Sequence, residues 1–452
     1  MTDLIRAPFE KKIWKDRRVL ILGLGQFPQG SGVSAALLFA KLGAKVTVTD
    51  LKNAKDLGDN VRRLKKFKNV RFVLGRHDLK DVRDSEFIVP NQRVRQNAPE
   101  IKLACKLGVP TQTEIALFLN RCPATVIGVT GTRGKSTTTA LIAYILKQGK
   151  RRVWLGGNIL VSPLTFLSKI KKNDIVVLEL SSFQTESLAD ARPVDIAVIT
   201  NIKRDHLNAY ADMGEYAEAK AQIFRNQTPK QTVILNADDA YGREWMKEAP
   251  SKVLSFGSKN KLPIKSSELF LIGEHNIQNA IAASLAAKVA GASAAQIKQG
   301  LKTFKPLPNR LETIRVWRNI RFVNDTTATT PDGTIAAIEA LQSGHHHLWL
   351  IAGGADKELR YLDFAEIIAK HHPRVHLLLL PGDASEKMKK SLGGFREHVH
   401  PVKDLREAVE LARRSAIPGD AVVLSPGAAS FNQFKNEFER GEMFVELVKN
   451  LK

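Results

Sequence analysis

Short apolar runs rich in β-branched residues recur along the chain, and each is followed by a stretch with helical character. These runs cover residues 18–22, 45–49, 125–129, 175–180, 196–200, 232–235, 348–352, 375–380 and 421–424. A run that is apolar throughout is typical of a strand buried on both faces, as in a parallel sheet. The alternation therefore predicts an α/β protein whose parallel sheets are covered by helices on both faces.

Two breaks in this alternation indicate domain boundaries. One βα series stops at residues 110–114, before a helical segment at 115–119, and Lys-Pro-Leu-Pro interrupts the pattern within residues 304–309. A single hydrophobic core stops growing near roughly 250–300 residues, and this chain has 452. We therefore expect three α/β domains, over residues 1–112, 113–305 and 306–452.

Composition narrows the class of protein without identifying it. The apolar content of 43% and charged content of 25% are those of a globular protein. The net charge of +23 suits nucleic acid, but it suits nucleoside di- and triphosphates equally well. Cys105 and Cys122 lack the spacing of a disulfide framework or a zinc site, so we expect reduced thiols in a cytoplasmic protein. No apolar run approaches the roughly 20 residues of a membrane span, and residues 1–18 contain no secretion signal.

The strongest local signal is the segment Val126-Ile-Gly-Val-Thr-Gly-Thr-Arg-Gly-Lys-Ser-Thr-Thr-Thr139, in which an apolar run enters a glycine turn that opens a helix. Such a turn surrounds a phosphate with backbone N–H groups and the positive end of the helix. A lysine there can neutralise the β- and γ-phosphate oxygens, and a serine hydroxyl can bind Mg²⁺. The expected ATP contacts are Gly131, Thr132, Gly134, Lys135, Ser136 and Thr137.

The form of this loop, together with the motifs after it, resembles the Mur ligases. Val129 stands where the general P-loop has its first glycine, and the shorter Gly-Thr-x-Gly-Lys-Ser is typical of Mur ligases and their folylpolyglutamate synthetase relatives. The other matching segments, in the family's order, are Gly156-Gly-Asn158, Val177-Leu-Glu-Leu-Ser-Ser-Phe-Gln184, Asn201-Ile-Lys-Arg-Asp-His206, Gly273-Glu-His-Asn-Ile-Gln-Asn279, Pro308-Asn-Arg310 and Leu424-Ser-Pro-Gly-Ala-Ala-Ser-Phe-Asn-Gln-Phe-Lys435. The resemblance covers the whole chain and is strongest to the branch that adds glutamate. It implies a Rossmann-like first domain, a P-loop-type central ATPase domain and a Rossmann-like third domain.

The resemblance also implies which residues carry the chemistry. Glu179 offers hard oxygen ligands for magnesium, and His206 follows the run at 196–200, where open α/β sheets place their ligands. Lys220 matches a lysine that the family carries as a carbamate. The implied catalytic residues are Lys135, Glu179, His206 and Lys220, and the implied ligands of two Mg²⁺ ions are Ser136, Glu179, His206 and carbamylated Lys220.

Further positions match the ATP and amino-acid contacts of the family. For ATP these are Asn276, Asn279, Arg310, which would reach the phosphates on domain closure, and Asp325, which follows a strand expected at residues 321–324 and would hold the ribose. For the acceptor and glutamate they are Asn158, Ser181, Thr329, Lys357, Ser425 and the backbone near Phe431 or Asn432. Thr327 departs from the family, which usually has lysine there, and Asn309 replaces a histidine. Arg440-Gly441 adds to the match, and we expect it to be structural.

The first domain has a Rossmann-like opening. Glycines follow the run at 18–22, and Asp50 follows the next run, where an acid meets a ribose or base. The third glycine of that fingerprint is missing, since position 28 is proline and the next glycines come at 30 and 32. The resemblance implies that this domain binds UDP, through Gly23, Gly25, Gln26, Phe27 and Asp50. Pro90-Asn-Gln-Arg93 stands where the family commonly has Ser-Pro-Gly, which leaves the sugar-phosphate contact without an assigned residue.

The activity implied by the resemblance is ATP-dependent amide-bond formation between UDP-N-acetylmuramoyl-L-alanine and D-glutamate, through an acyl phosphate, in peptidoglycan precursor synthesis. We expect a cytoplasmic monomer with no nucleic-acid or membrane partner. Three alternatives stay open on the sequence alone. The amino acid could be another, such as L-glutamate, or the acceptor could be a folate, although folylpolyglutamate synthetases lack a Rossmann-like domain before the phosphate loop. The net charge alone suggests a nucleic-acid-stimulated ATPase.

Overall fold

The computed structural model describes residues 4–159, 161–207, 209–394, 398–431 and 433–451. Within these residues the strands form one four-stranded and two six-stranded sheets. The chain divides into two compact units, the first made of residues 1–263 and 279–301, the second of residues 264–278 and 302–452. The first unit holds two of the sheets and the second unit holds the third. The predicted α/β class is confirmed, while the domain boundaries after residues 112 and 305 stay predictions.

The first sheet lies in the N-terminal part of the first unit and has the order β3-β2-β1-β4, with parallel pairing throughout. Its strands are β1 (Arg18–Leu22), β2 (Lys45–Asp50), β3 (Val70–Leu74) and β4 (Phe87–Pro90), and its helices are α1 (Lys11–Trp14), α2 (Ser31–Lys41), α3 (Ala54–Leu64), α4 (Leu79–Arg83), α5 (Pro99–Leu107) and α6 (Glu114–Leu119). Trp14 packs edge-on against Phe39 and Phe87, with ring centroids 4.8 and 5.3 Å apart. This aromatic core fixes β1, whose carboxyl end opens into the first glycine turn.

The second sheet has the order β10-β9-β8-β5-β7-β6 and is also parallel throughout. Its strands are β5 (Thr125–Thr130), β6 (Val153–Gly157), β7 (Ile175–Glu179), β8 (Ile196–Ile199), β9 (Thr232–Asn236) and β10 (Lys252–Phe256). The helices of this region are α7 (Lys135–Lys147), α8 (Ser182–Thr185), α9 (Met213–Arg225), α10 (Ala240–Glu248), α11 (Glu274–Val289) and α12 (Ala294–Thr303). Because β5, β7 and β8 are adjacent, the loops at their carboxyl ends meet at one edge of the sheet.

The third sheet lies in the second unit and has the order β11-β12-β16-β13-β14-β15. Its strands are β11 (Glu312–Trp317), β12 (Ile320–Asn324), β13 (Leu348–Ala352), β14 (Val375–Leu379), β15 (Val399–Pro401) and β16 (Ala421–Leu424), and its helices are α13 (Pro331–Leu341), α14 (Leu362–Lys370), α15 (Asp383–Ser391), α16 (Leu405–Ser415) and α17 (Glu437–Lys449). Only the β11–β12 pair is antiparallel among the described pairs. Leu350 and Val423 enter the core on one face, and Trp349 and Val422 enter the core on the other. Helices thus cover both faces, as the sequence predicted.

The apolar runs identify the interior strands of all three sheets. The nine runs, together with the strand expected at residues 321–324, correspond to β1, β2, β5, β7, β8, β9, β12, β13, β14 and β16. The strands that no run identifies are β3, β4, β6, β10, β11 and β15, which are the two edges of each sheet. Of the helices in the described ranges, none is long and apolar enough to cross a membrane.

Candidate functional site

The predicted phosphate loop connects β5 to α7 and requires glycine at two positions. Gly131 and Gly134 have φ angles of 138° and 80°, in the region that residues with a side chain rarely adopt. A Cβ at Gly131 would lie 2.0 Å from Thr200 Oγ1, and one at Gly134 would lie 2.3 Å from Asn279 Oδ1. Helix α7 begins directly at Lys135. The N-terminal N–H groups of the helix therefore point into the loop, which is the arrangement that binds phosphates.

The end of β8 braces this loop from the neighbouring strand. Asn201 accepts from two backbone groups of the loop, at its carbonyl from Thr132 N (2.8 Å) and at its Oδ1 from Arg133 N (3.0 Å). Thr200 Oγ1 donates to Arg133 O at 2.5 Å. The sequence placed Asn201 only as a flank of His206. Its bracing role is visible only once β5 and β8 are known to be adjacent.

Two lysines converge on the carbonyl groups of the loop. Lys135 Nζ donates to Thr132 O at 3.0 Å, and Lys220 Nζ, from α9, donates to Gly131 O at 2.9 Å. Lys220 is only 2% exposed and lies 4.7 Å from the centroid of the Tyr216 ring. Burial, with the charge of Lys135 adding in the same direction, holds the pKa of Lys220 well below its usual range. The Lys220 amine is therefore far more readily deprotonated than an ordinary lysine.

Glu179 ends β7 and directs one oxygen into the same region without a partner. Asn158 Nδ2 donates to Glu179 Oε1 at 2.9 Å, and Asn158 N donates to Glu179 O at 2.8 Å. Glu179 Oε2 is buried and has no hydrogen-bond partner within the described ranges. The charge of Glu179 acts on Lys220, so the two groups are within electrostatic reach. A buried carboxylate oxygen left unpaired is unfavourable, and a bound cation would satisfy it.

His206 lies in the loop after β8, in a left-handed conformation with φ of 55°. Its ring packs edge-on against Phe183 at 5.5 Å between centroids. Burial lowers the pKa of His206, the charges of Lys220 and Lys135 lower it further, and Asp205 opposes them. Asp205 itself pairs with Arg133 of the phosphate loop at 3.3 Å. The imidazole is therefore neutral near pH 7 and able to act as a ligand or base.

The remaining predicted residues of the first unit lie at helix starts around this loop. Ser136 and Thr137 are the second and third residues of α7, and Ser181 caps the N-terminus of α8. Asn279, on α11, lies beside Gly134 of the phosphate loop, and its contact with ATP stays a prediction. Asn276, on the same helix, belongs to the second unit, where its side-chain amide donates to the backbone carbonyl four residues earlier at 2.8 Å.

The first glycine turn, after β1, is built around an acid. Asp50 Oδ2 accepts from Leu24 N at 2.8 Å and from Gly25 N at 3.0 Å, so this carboxylate holds the turn itself. Gly23 and Gly25 have φ angles of 91° and 78°. A Cβ at Gly32, in α2, would lie 2.2 Å from Gly23 O and 2.5 Å from Leu24 O. Gly32 therefore makes the close helix–strand contact that is typical of the third fingerprint glycine, which we predicted to be missing.

The other two residues predicted for this turn face outward. Gln26 Nε2 donates to Asp56 O at 3.1 Å, and Gln26 Oε1 accepts from Lys52 Nζ at 2.6 Å. Phe27 is 61% exposed, which is unusual for a phenylalanine and suits stacking on a flat ligand. Both residues lie beside the glycine turn, where the resemblance expects the nucleotide of the precursor.

In the second unit, the carboxyl end of the third sheet carries the predicted amino-acid contacts. Lys357 Nζ donates to Thr329 Oγ1 at 3.0 Å. Asp325 is buried and accepts from Leu311 N at 3.1 Å and from Ser425 Oγ at 2.9 Å. Burial raises the pKa of Asp325 to about 7. Ser425, which the resemblance gave as a substrate contact, therefore uses its hydroxyl on Asp325.

The structure also describes three further positions of the second unit that the sequence singled out, Arg310, Phe431 and Thr327. The charge of Arg310 acts on Asp325, lowering its pKa against the effect of burial. Phe431 is 70% exposed, and Asn432 lies outside the described residues. Thr327, at the position where the family usually has lysine, donates its hydroxyl to Asn309 O at 2.9 Å.

Arg440, on α17, contacts both the loop after β12 and the loop after β16. Its guanidinium is 1% exposed and donates to Thr326 Oγ1 at 3.1 Å, Thr326 O at 3.0 Å and Ala428 O at 3.4 Å. Burial lowers its pKa to about 10, which still leaves it charged at neutral pH. We expected this position to be structural, and the contacts are of that kind: they hold the loops after β12 and β16 together.

Comparison with known proteins gives a consistent result. Residues 129–287 match the family model of the Mur ligase middle domain, and residues 309–427 match that of the Mur ligase, glutamate ligase domain. The chain is 37% identical to the UDP-N-acetylmuramoylalanine–D-glutamate ligase of Roseiflexus sp., with 96% of this chain and 98% of the relative covered. It is 35% identical to the ligase of that name from Symbiobacterium thermophilum, over 93% and 97% of the two chains.

Solved structures share the fold at lower identity. The MurF ligase of Thermotoga maritima in complex with ADP superposes with a TM-score of 0.63 at 19% identity, covering 100% of both chains. The UDP-N-acetylmuramate-alanine ligase of Thermotoga maritima gives a TM-score of 0.58 at 20% identity, covering 97% of this chain and 100% of the other. At these identities the likeness concerns the fold alone.

Proposed function

Because this chain belongs to the Mur ligase family, we propose that it joins D-glutamate to UDP-N-acetylmuramoyl-L-alanine with cleavage of ATP. The observation that carries the proposal is the convergence of Lys135, the buried Lys220 and the unpaired oxygen of Glu179 on one phosphate loop. The end-to-end identity to ligases of that name supports the choice of substrates.

The reaction has two steps that balance without another reactant. The terminal carboxylate of the precursor attacks the γ-phosphorus of ATP, which gives an acyl phosphate and ADP. The amine of D-glutamate then attacks the acyl carbon, phosphate leaves, and the nitrogen loses a proton to a base. Negative charge builds on the transferred phosphoryl group and then on the acyl oxygen, so fixed cations lower both barriers. Lys135 is the protein cation that we place there.

Mg²⁺ fits the residues of the phosphate loop region. Within the described ranges, no three histidine, cysteine, aspartate or glutamate side chains converge on one point as a metal site. Glu179 nevertheless offers a buried oxygen without a partner, and an ATP site completes its metal shell with phosphate oxygens and water. We propose that Glu179 and Ser136 hold one ion, and that His206 and a carbamylated Lys220 hold a second. Mg²⁺ there would neutralise phosphate charge.

Carbamylation of Lys220 is consistent with its surroundings. The amine nitrogen attacks the carbon of CO₂ and releases one proton, which only a neutral amine can do. Burial and the neighbouring Lys135 favour the neutral amine, and the product would be an anion among cations. We expect a ¹³C carbamate resonance in protein equilibrated with ¹³C-bicarbonate, absent from Lys220→Ala. Wild-type protein without that resonance would remove the second metal ligand from this proposal.

The other predicted contacts keep their assignments, with two refinements. We place the glutamate carboxylates at Lys357, Thr329 and the backbone of Phe431, and we assign Ser425 to the support of Asp325, which would meet the ribose of ATP. We keep Asn276, Asn279 and Arg310 as proposed ATP contacts, and Asn158 and Ser181 as proposed contacts of the acceptor. In the first turn, Gly23, Gly25, Gln26 and Phe27 would contact UDP while Asp50 holds the turn. ATP and the nucleotide-linked precursor place the reaction in the cytoplasm, and we propose a monomer.

The decisive experiment is a phosphate-release assay on the purified full chain, with mass spectrometry of the product. With ATP, Mg²⁺ and UDP-N-acetylmuramoyl-L-alanine, we expect turnover with D-glutamate and little with L-glutamate, D-aspartate or L-lysine. Turnover with a folate acceptor, or ATP hydrolysis that needs only nucleic acid, would favour the corresponding alternative. The absence of phosphate release with every amino acid offered would disprove the proposal.

A further inference from the structure

The loop that follows β4 lies against the first glycine turn and carries a cation. A Cβ at Gly23 would lie 2.8 Å from Asn91 Cβ and 3.8 Å from Val94 Cγ2, so this loop packs directly on the turn. The backbone N–H of Arg93 donates to Asn91 Oδ1 at 3.1 Å, which sets the course of the loop. Within the part of the chain that the structure describes, the Arg93 guanidinium has no ion-pair partner and makes no hydrogen bond.

Arg95, two residues further on, has two acidic partners, whereas Arg93 has none among the described residues. Its guanidinium lies 4.8 Å from the centroid of the Tyr210 ring, 3.5 Å from Glu186 and 3.4 Å from Glu215. All three partners belong to segments of the second sheet, so Arg95 anchors the loop to that region. The loop therefore does not need Arg93 for its position.

The Arg93 side chain lies between the glycine turn and the histidine of the phosphate-loop region. Its guanidinium carbon is 5.1 Å from the centroid of the Phe183 ring, and that ring also contacts the rings of His206 and Tyr210, at 5.5 and 5.7 Å between centroids. The charge of Arg93 is among those that act on His206. A guanidinium stacked on an aromatic ring keeps the N–H groups at its edge available for an anion.

We propose that Arg93 binds an anionic group of the nucleotide-linked substrate, between the turn at Gly23 and His206. The assignment rests on the proposed function, since it takes that substrate to extend from the first turn to the phosphate loop. Asp50 occupies the N–H groups of Leu24 and Gly25, so the first turn needs a separate cation to receive a phosphate. The diphosphate and the terminal carboxylate of the substrate both accept two N–H groups from one guanidinium.

Isothermal titration of the full chain separates these two sources. The ligands are UDP-N-acetylmuramoyl-L-alanine, UDP-N-acetylglucosamine, which has the diphosphate but no carboxylate, and ATP. We expect Arg93→Ala to bind the muramoyl precursor about 10- to 100-fold more weakly, the range for one charge-assisted hydrogen bond, with ATP affinity unchanged. An equal loss for UDP-N-acetylglucosamine identifies the diphosphate, and a loss for the precursor alone identifies the carboxylate. Arg93→Lys should recover part of the affinity.

The matched control is Arg152→Ala, which removes another exposed arginine stacked on an aromatic ring, 5.5 Å from the centroid of Trp154 at the opposite end of the sheet. It should leave all three affinities unchanged. If Arg93→Ala does not fold, Arg93→Gln keeps most of the aliphatic stem over Phe183 and gives the same comparison.

Unchanged precursor affinity in Arg93→Ala, or an equal loss for ATP, would overturn the assignment, as would a wild-type chain that binds neither UDP compound. Wild-type protein that binds the precursor through Arg93 but releases no phosphate with any amino acid would remove the proposed function alone.

Discussion

The two glycine turns of the first unit have the same local plan but opposite charges. Each follows an interior strand of its sheet and leads towards a helix packed on that sheet. At the first turn, the carboxylate of Asp50 accepts the N–H groups of Leu24 and Gly25. At the second, Lys135 and Lys220 donate to the carbonyl groups of the loop. The glycines alone therefore do not determine the ligand, and the charges around each turn support our assignment of the triphosphate to the second.

The largest effect on turnover is expected from Lys135→Ala, because it removes the less buried of the two lysines at the second turn. Loss of one preorganised charge at a transferring phosphoryl group costs roughly 10²- to 10³-fold in kcat. Phosphate release under saturating substrates measures this loss, and the midpoint of thermal unfolding should change little. A variant that keeps the wild-type kcat would show that Lys135 does not neutralise charge on the transferred phosphoryl group, and that the second turn is not distinguished by this cation.

Gly32→Ala should have the next largest effect, and it acts on the first turn. The added Cβ would lie 2.2 Å from Gly23 O, so α2 must move away from the turn, at a cost of about 1–3 kcal/mol for overpacking. Denaturant unfolding measures this cost, and the KM for the precursor should rise while the KM for ATP stays constant. Gly344→Ala is the control, since a Cβ there meets nothing within 4 Å. Equal stability of the two variants would contradict the close packing.

Asp50→Ala tests the acid of the first turn and should have a moderate effect. It leaves the N–H groups of Leu24 and Gly25 without their partner, which costs about 1–3 kcal/mol when such groups are buried. We expect a higher KM for the precursor and an unchanged KM for ATP. Asp50→Asn, which keeps one acceptor oxygen, should lie between wild type and Asp50→Ala. If Asp50→Ala instead binds UDP compounds more tightly, the freed N–H groups contact phosphate and the carboxylate is inhibitory.

The smallest effect on turnover is expected from Glu114→Gln. Glu114 contacts Ser162, which in turn contacts the segment after the first turn. Ser162 N donates to Gln29 O at 3.1 Å, and Ser162 Oγ donates to the buried Glu114 carboxyl. Burial raises the pKa of Glu114 to about 7. An acid with a raised folded-state pKa contributes stability below its unfolded pKa, near 4.5, and that contribution is lost as the pH rises through 7.

Glu114→Gln should therefore unfold at a higher temperature than wild type at pH 8, and the difference should shrink towards pH 5. Thermal unfolding across this range measures it, with turnover at pH 7 as the control for an intact site. The wild-type midpoint, measured relative to that of the variant, should decrease as the pH is raised from 5 to 8. If it does not decrease, Glu114 is ionised in the folded protein.

The sequence predicted the interior strands and the chemistry of the phosphate loop, but not the sheet edges. An edge strand such as β10 buries one residue out of five, so it shows no continuous apolar run. The sequence also does not show which residues meet when strands and helices pack side by side. Gly32 replaces the third fingerprint glycine only because α2 begins late, and Asn201 braces the loop only because β8 lies beside β5. The resemblance of its segment to the family assigned Ser425 to the substrate, and only the structure places Asp325 next to it.

Arg440 has a consequence for how the molecule is made. The Arg440 guanidinium is one of the contacts between the loops around Thr326 and Ala428, beside the hydrogen bond from Gly427 N to Ala328 O, and it lies after both loops in the chain. Ribosomes synthesise from the N-terminus, so the Arg440 contact cannot form until α17 has left the exit tunnel. The loops that carry Thr329 and Ser425 therefore gain this contact only at the end of synthesis, long after the phosphate loop has been made.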